Sequence, residues 1–442
     1  MKQFSKRFSS SQIIILSFAV LITAGCLLLM LPFATKDGQG ASFADALFTA
    51  TSAVCVTGLI VQDTASYWSS FGQAVILTLI QVGGMGVVTV ALAVSALSGR
   101  PIGLKQRSTM QEAISAHQVG GIVRLTGFII RSTILLEALG FVLMAPTFCR
   151  EFGFLKGCWY AVFHSISAFC NAGFDLMGIR TPYSSLTLLA DDLAVNFTIM
   201  ALIIIGGIGF TTWDDIKSHG IHLRKYRMQS KVILSTTAAL ILLPTLYLFF
   251  FEFTEETLGQ RLLYSLFQAV TPRTAGFNTV DLTLLSEVGI ALTIMLMLVG
   301  GSPGSTAGGM KTTTLAVMLS TGVSVLRRRE STHFFRRRID EDTVRNAVTI
   351  FMMYLLLFLF CGCLISIAED LPLLYCLFET ASAVGTVGLT LGITPQLGLF
   401  SRGILILLMY IGRVGGLTLV FSALMAEPKI SAKLPQEKLT VG

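Results

Sequence analysis

The chain has 442 residues, of which 53% are hydrophobic and only 13% charged, with a formal net charge of +7. Soluble domains carry about 25% charged residues, so the composition excludes an ordinary soluble protein and predicts an all-α polytopic membrane protein. The five histidines (His117, His164, His219, His222, His333) are scattered and no carboxylate pair has acid–base or metal spacing. No catalytic set emerges, and an enzyme is not expected.

Apolar runs long enough to cross a hydrocarbon core of about 30 Å occupy residues 13–32, 74–97, 122–146, 188–210, 232–251, 348–367 and 403–424. The first follows Lys2, Lys6 and Arg7. It exceeds the roughly 7–15 residues of a signal-peptide core and a further helix signal follows, so a retained span is expected. Further Lys/Arg clusters stand at Arg100–Arg107, Lys217–Arg227, Arg327–Arg329 with Arg336–Arg338, and Lys429–Lys438, while the intervening connectors are neutral or acidic. The positive-inside rule then places both termini and three long loops in the cytosol. Read this way the clusters need no nucleic acid, and Arg327–Arg338 is a stop-transfer flank that could also meet anionic lipid.

Four stretches repeat one grammar: a short segment of small and semi-polar residues, a turn centred on glycine, then another span. They cover residues 43–59, 155–174, 262–277 and 374–389, each with one aromatic anchor, namely Phe48, Phe163, Phe267 and Phe378. The turn glycines Gly58, Gly173, Gly276 and Gly388 lie 115, 103 and 112 residues apart. Segments of this length cannot cross a bilayer and read as re-entrant helices. The predicted architecture is therefore four tandem span–pore helix–span repeats, with eight transmembrane helices and four re-entrant helices around a pseudo-fourfold pore. The repeats occupy residues 1–98, 122–213, 231–326 and 344–426, separated by cytosolic connectors 99–121, 214–230 and 327–343 and followed by a tail, 427–442.

The turns carry the chemistry. Aligned on glycine they read Val56-Thr57-Gly58, Asn171-Ala172-Gly173, Thr274-Ala275-Gly276 and Thr386-Val387-Gly388. Non-helical backbone at membrane depth survives only where protein or water satisfies it. Four such turns facing a common axis would present carbonyl oxygens in place of an ion's hydration shell. Below them, the second span of the third repeat holds Gly300-Gly301-Ser302-Pro303-Gly304-Ser305-Thr306-Ala307-Gly308-Gly309. At about 1 kcal/mol per interior Gly and about 3 for Pro, this stretch should unwind into a loop that acts as a gate. It lacks the GxxxxGK[ST] spacing of a phosphate-binding loop, since Met310 precedes Lys311. The glycines Gly83, Gly84 and Gly86, and Gly206, Gly207 and Gly209, are expected mainly to allow close helix packing.

Two charges stand out, Arg413 and Arg273. Arg413 lies within the last span, where a charge costs at least about 2.5–3.5 kcal/mol and usually serves a function. Lys311 reads as an inner-end charge. Arg273 precedes Gly276 by three residues, and a carboxylate such as Glu379 is its expected partner. Of the eight cysteines none has CxxC spacing, and Cys149 and Cys158 fall together on the predicted outer side.

On these turns and the broken span, the chain resembles the Ktr/Trk/HKT superfamily of potassium transporters along nearly its whole length. It is more similar to the bacterial Ktr-type pore subunit, having no additional spans ahead of the first repeat. The resemblance implies a potassium filter in which only the glycine is common to all four turns, and Gly58 favours potassium over sodium. It further implies a gate formed by the loop and Arg413, a homodimer with one path per chain, and a cytosolic nucleotide-binding regulatory ring in trans. The setting implied is a bacterial cell membrane, with contact to membrane lipids. No cofactor is implied; K+ is the transported ion, and in some Ktr systems Na+ is an activator. A carrier with alternating access is the competing class, but it favours inverted repeats, whereas these repeats share one orientation.

Overall fold

The computed structural model describes residues 9–91, 104–113 and 122–415. The predicted tail 427–442, the end of the last predicted span and much of the connector 99–121 lie outside the described residues. Among the described residues the regular structure is helical, apart from one two-stranded hairpin and two isolated bridges.

Four helices are long and apolar enough to cross a bilayer: α1 (Ser10–Leu29), α5 (Ile122–Phe152), α9 (Met228–Phe251) and α13 (Glu341–Glu369). Each is followed by a shorter helix: α2 (Phe43–Val54), α6 (Phe154–Phe169), α10 (Leu258–Val270) and α14 (Leu373–Gly385). After a glycine turn come α3 (Ser70–Met85), α7 (Leu193–Gly207), α11 (Glu287–Leu298) and α15 (Leu399–Val414), while α4 (Leu104–Ala113) lies in the connector between α3 and α5. Side chains cap the starts of three of these. Ser69 Oγ accepts from Gly72 N at 3.2 Å, Asp192 from Val195 N at 2.9 Å and Ser286 Oγ from Gly289 N at 3.0 Å, satisfying donors that a helix cannot pair internally.

Three of the four helices that follow the turns are interrupted, and the fourth, α15, is described only as far as Gly415. α7 gives way at Gly209 to α8 (Phe210–His219), bent by 98°. α3 ends at Gly86 and α15 at Gly415, with φ of 86° and 90°, close to the 90° of Gly209. α11 is separated by residues 299–311 from α12 (Thr312–Leu326). Expecting these glycines mainly to pack was incomplete. Gly83, Gly206 and Gly412 do pack, having no room for a Cβ against the carbonyls of Val54, Phe169 and Val384. Gly86 and Gly209 break the helix, because their positive φ is open to glycine alone at little cost.

The packing closes on itself. α3 lies against α6, α7 against α10, α11 against α14, and α15 against α2. The short helices are buried inside this ring, with Phe48, Phe163, Phe267 and Phe378 at or below 1% exposure. The long helices turn apolar faces outward: Ile134, Leu135, Leu139 and Val142 on α5, and Leu242, Leu243, Leu246 and Phe250 on α9, are exposed. Exposed leucine at helical spacing is unfavourable in water and suits hydrocarbon. At one end, Met228, Val317, Phe334, Ile339 and Ala347 form a small core. It joins the starts of α9 and α13 to α12 and to the hairpin β1 (His333–Phe334) and β2 (Arg337–Arg338). The basic connectors before α9 and after α12 therefore share one end of the molecule.

Candidate functional site

The four glycine turns meet at the centre of the helix ring. In each, the first residue is left-handed, with φ of 52° at Val56, 56° at Asn171, 65° at Thr274 and 52° at Thr386. The glycine two residues on is again positive, at 90°, 68°, 78° and 95° for Gly58, Gly173, Gly276 and Gly388. Thr57, Ala172, Ala275 and Val387, between them, are not. Such alternation turns successive carbonyls toward one side. Three of the four left-handed first residues are β-branched, a strain of about 1–3 kcal/mol each that persists only where the surroundings enforce it.

The ring is tight and cyclic. A Cβ built on Gly58 would lie 2.5 Å from Ala172 O, and one on Gly173 would lie 2.6 Å from Ala275 O. One on Gly276 would overlap Val387 O, and one on Gly388 would overlap Thr57 O, returning to the first turn. Each glycine thus lies beside a carbonyl of the next turn, and a side chain at any of the four would have to displace that carbonyl.

Hydroxyls that sequence reading passed over prop the turns from behind. Ser52 Oγ accepts from Gly58 N at 3.1 Å and Ser382 Oγ from Gly388 N at 3.0 Å. Ser167 Oγ donates to Phe174 O at 2.7 Å and Thr271 Oγ1 to Phe277 O at 2.6 Å. The signal was present, since a Ser or Thr stands five or six residues before every turn glycine.

The four glycines floor a cavity of about 710 Å³ whose walls include Asp175, Tyr183, Asn278 and Asp281. A second cavity, of about 320 Å³, is lined by Lys311, Arg413, Tyr354 and Glu112. It is also lined by Gly304, Ser305, Ala307 and Gly309 of the inserted loop.

The loop leaves and returns at one level. Gly300 N donates to Met310 O at 2.8 Å and Thr312 N to Gly301 O at 3.0 Å. Between those points it grips its neighbours. Ser302 N donates to Gly207 O at 2.9 Å, Phe210 N to Gly304 O at 2.7 Å, and Gly309 N to Gly412 O at 3.1 Å. Pro303 and Ser305 lie on this stretch, and Ala307 accepts through its carbonyl from Lys311 Nζ at 2.9 Å. Lys311 also donates to Gly308 O at 3.3 Å, so it braces the loop and is more than an inner-end charge.

Arg413 is half-buried and binds backbone oxygen alone. Its guanidinium donates to Thr306 O, to Gly83 O and, at 3.0 Å, to Gly84 O. The last two belong to the final turn of α3, where unpaired carbonyls and the helix dipole concentrate negative potential. One side chain joins α15, the loop and α3.

Arg273 does not pair with Glu379. Its Nη2 donates to Thr237 Oγ1 at 3.3 Å, and its buried Nε has no partner among the described residues. Glu379 instead accepts from Thr390 and, at 2.7 Å, from Thr394. Hydroxyls serve both groups without bringing them together, fully at Glu379 and only at one nitrogen of Arg273. Cys149 and Cys158 are unbridged, with Sγ atoms 3.7 Å apart. Among the described residues no group of three potential metal ligands occurs.

The TrkH family profile, described as a cation transport protein, matches residues 2–433. The potassium/sodium uptake protein NtpJ of Enterococcus hirae is 40% identical, over 100% of this chain and 99% of its own. The Ktr system potassium uptake protein B of Bacillus subtilis is 38% identical over 94% of this chain and 93% of that protein. Among solved structures, the potassium transporter TrkH of Vibrio parahaemolyticus superposes with a TM-score of 0.75 over 94% of this chain and 84% of that one. At 21% identity, that likeness speaks for the fold alone.

Proposed function

The chain belongs to the TrkH family of cation transport proteins, and we propose that it takes up potassium through the ring of four glycine turns. The observation that carries this reading is the cyclic contact of Gly58, Gly173, Gly276 and Gly388 with carbonyls of Ala172, Ala275, Val387 and Thr57. A dehydrated monovalent cation needs several carbonyl dipoles at once, and a closed ring without side chains offers them. The C-terminal ends of α2, α6, α10 and α14 lead into the turns, and each contributes roughly half a negative charge of dipole. In this reading each long helix, short helix, turn and interrupted helix is one of four repeats around the conduction axis. Asp175 and Asp281 in the larger cavity draw cations to its mouth.

The loop 299–311 is the gate, plugging the path between the two cavities with Arg413 holding it shut. The end bearing the basic connectors faces the cytosol in a bacterial cell membrane, so the ring opens outward. A cytosolic regulatory ring acting on α12 and the hairpin would move the gate, and the working unit is a homodimer. Relatives named for potassium uptake, or for potassium and sodium uptake, support the ion class.

Purified protein in liposomes should accumulate rubidium down an imposed gradient, with sodium uptake well below it. Gly58→Ser should raise sodium relative to rubidium. Unchanged ratios in that variant would remove the ring from the ion path. The potassium/sodium label of one relative keeps a sodium-coupled carrier as a second reading. Rubidium uptake that requires a sodium gradient in the same liposomes would favour the carrier.

A further inference from the structure

Asn171 is the one carboxamide among the four first residues of the turns, and it is fully buried. Its Nδ2 faces the neighbouring turn, 3.3 Å from Arg273 O and 3.5 Å from Thr274 Oγ1, and lies 3.5 Å from Ile203 O on α7. Its Oδ1 accepts from Thr306 Oγ1 at 3.1 Å. A primary amide offers two donors and one carbonyl acceptor, and only the acceptor is held by the loop.

Thr306 is the best-anchored residue of the loop. Its N–H donates to Gly206 O at 3.3 Å and its carbonyl receives Arg413. Its hydroxyl is shared between Phe169 O and Asn171 Oδ1, each at 3.1 Å. The loop touches two more first residues. A Cβ on Gly300 would come within 3.1 Å of Thr274 Cγ2, and one on Gly308 would overlap Thr386 Oγ1. The loop is thus pressed against the underside of three turns, and at Asn171 the contact is a hydrogen bond.

We propose that the Thr306 hydroxyl positions the Asn171 amide, and through it the second and third turns, so that the gate loop helps set ion selectivity; this assignment rests on the ion path proposed above. In this assignment the glycine arms of the loop move aside during conduction while Thr306 keeps its anchors to Phe169, Gly206 and Asn171. Without that donor, Asn171 Oδ1 is left in a buried site unpaired, which is costly. The amide must turn to find another, and its long contacts to Arg273 O and Thr274 then change with it. Loop position and ring geometry are coupled through one side chain. Asn171 serves as a specificity-determining residue and Thr306 as a positioning residue.

Simultaneous uptake of rubidium and sodium isotopes by the full chain in liposomes tests this. Thr306→Val, which keeps the shape and removes the donor, should lower the rubidium-to-sodium ratio about three- to tenfold. Thr306→Ser should hold the ratio near wild type. Asn171→Leu removes that bond together with the contacts of the amide nitrogen, so it should lower the ratio at least as far, and the double variant should fall no further than Asn171→Leu alone. Where Thr306→Val does not purify as a monodisperse protein, the Thr306→Ser and Asn171→Leu pair decides. A changed total uptake at constant ratio in Thr306→Val would overturn the proposal, leaving the loop a plain plug. A ratio lost equally in Thr306→Ser would overturn it as well. Gly58→Ser measured in parallel separates the two readings. If it shifts the ratio while Thr306→Val does not, only the coupling fails; if neither shifts it, the ring assignment fails.

Discussion

Arg413 Nη2 donates to the carbonyl of Gly84 across 3.0 Å, tying the last described helix to the end of α3. The same guanidinium holds Thr306 O in the loop. A hydrogen bond to a charged group contributes about 1.5–3 kcal/mol, and about 1.4 kcal/mol is a tenfold change in an equilibrium. Arg413→Gln removes such bonds from the closed loop and removes a positive charge from the proposed path. Both changes act in one direction. Rubidium uptake by the chain alone should rise by about tenfold or more, with Arg413→Lys intermediate because a point charge cannot fork across three carbonyls. Uptake at or below wild type, in a protein that still purifies intact, would show that Arg413 does not hold the loop closed.

Ser52 and Ser382 receive the amide hydrogens of Gly58 and Gly388, whereas Ser167 donates to Phe174 O. Ser52→Ala and Ser382→Ala each leave a buried glycine N–H without its acceptor, at a cost of about 1–3 kcal/mol inside the ring itself. Ser167→Ala leaves a carbonyl one residue beyond the glycine, and carbonyls tolerate loss better. Potassium-over-sodium selectivity should therefore fall in the first two variants and change little in the third. Equal losses in all three would mean that the hydroxyls act only through general packing.

The glycines offer a contrast in sign. At Gly412 a Cβ would overlap Val384 O and lie 2.9 Å from Thr386 Cγ2. Gly412→Ala should lower the melting temperature and also disturb the fourth turn, since overpacking costs about 1–3 kcal/mol. Gly322 sits in α12, where a methyl group in place of its hydrogen would meet nothing within 4 Å. Gly322→Ala should stabilise by about 0.5–1 kcal/mol, because it removes only backbone entropy from a helix interior. Thermal unfolding in detergent reads both.

Some of this was legible in residue identity and some was not. Gly58, Gly173, Gly276 and Gly388 were visible because a positive φ and a close carbonyl both demand glycine, so the constraint leaves a mark in sequence. Val56, Thr274 and Thr386 hide the same left-handed backbone, since β-branched residues ordinarily avoid it. The interrupted loop showed itself through Gly300–Gly309 and Pro303. Arg413 stood out too, as a charge within a span, but its partners and those of Lys311 and Phe210 did not, because they are main-chain oxygens that any residue could supply. The pairing of Arg273 with Glu379 failed for a related reason. A buried charge calls for a polar partner, but that partner need not be charged: Thr390 and Thr394 take up Glu379, and Thr237 meets Arg273 at one nitrogen.

Cys149 and Cys158 test the orientation. They sit at the end of α5 and the start of α6, Sγ to Sγ 3.7 Å, brought close because Gly157 leaves no Cβ between the helices. A disulfide needs about 2.05 Å between sulfurs, so a turn of the side chains would suffice. This end is remote from the basic connectors and, in the orientation proposed, faces out of the cell. Copper phenanthroline applied to intact cells should bridge the pair, and proteolysis between the two positions should leave the fragments joined until reduction. A membrane-impermeant maleimide added beforehand should block the bridge. If the reagent blocks it only in inside-out vesicles, the orientation is reversed, and the ring of glycines would open toward the cytosol.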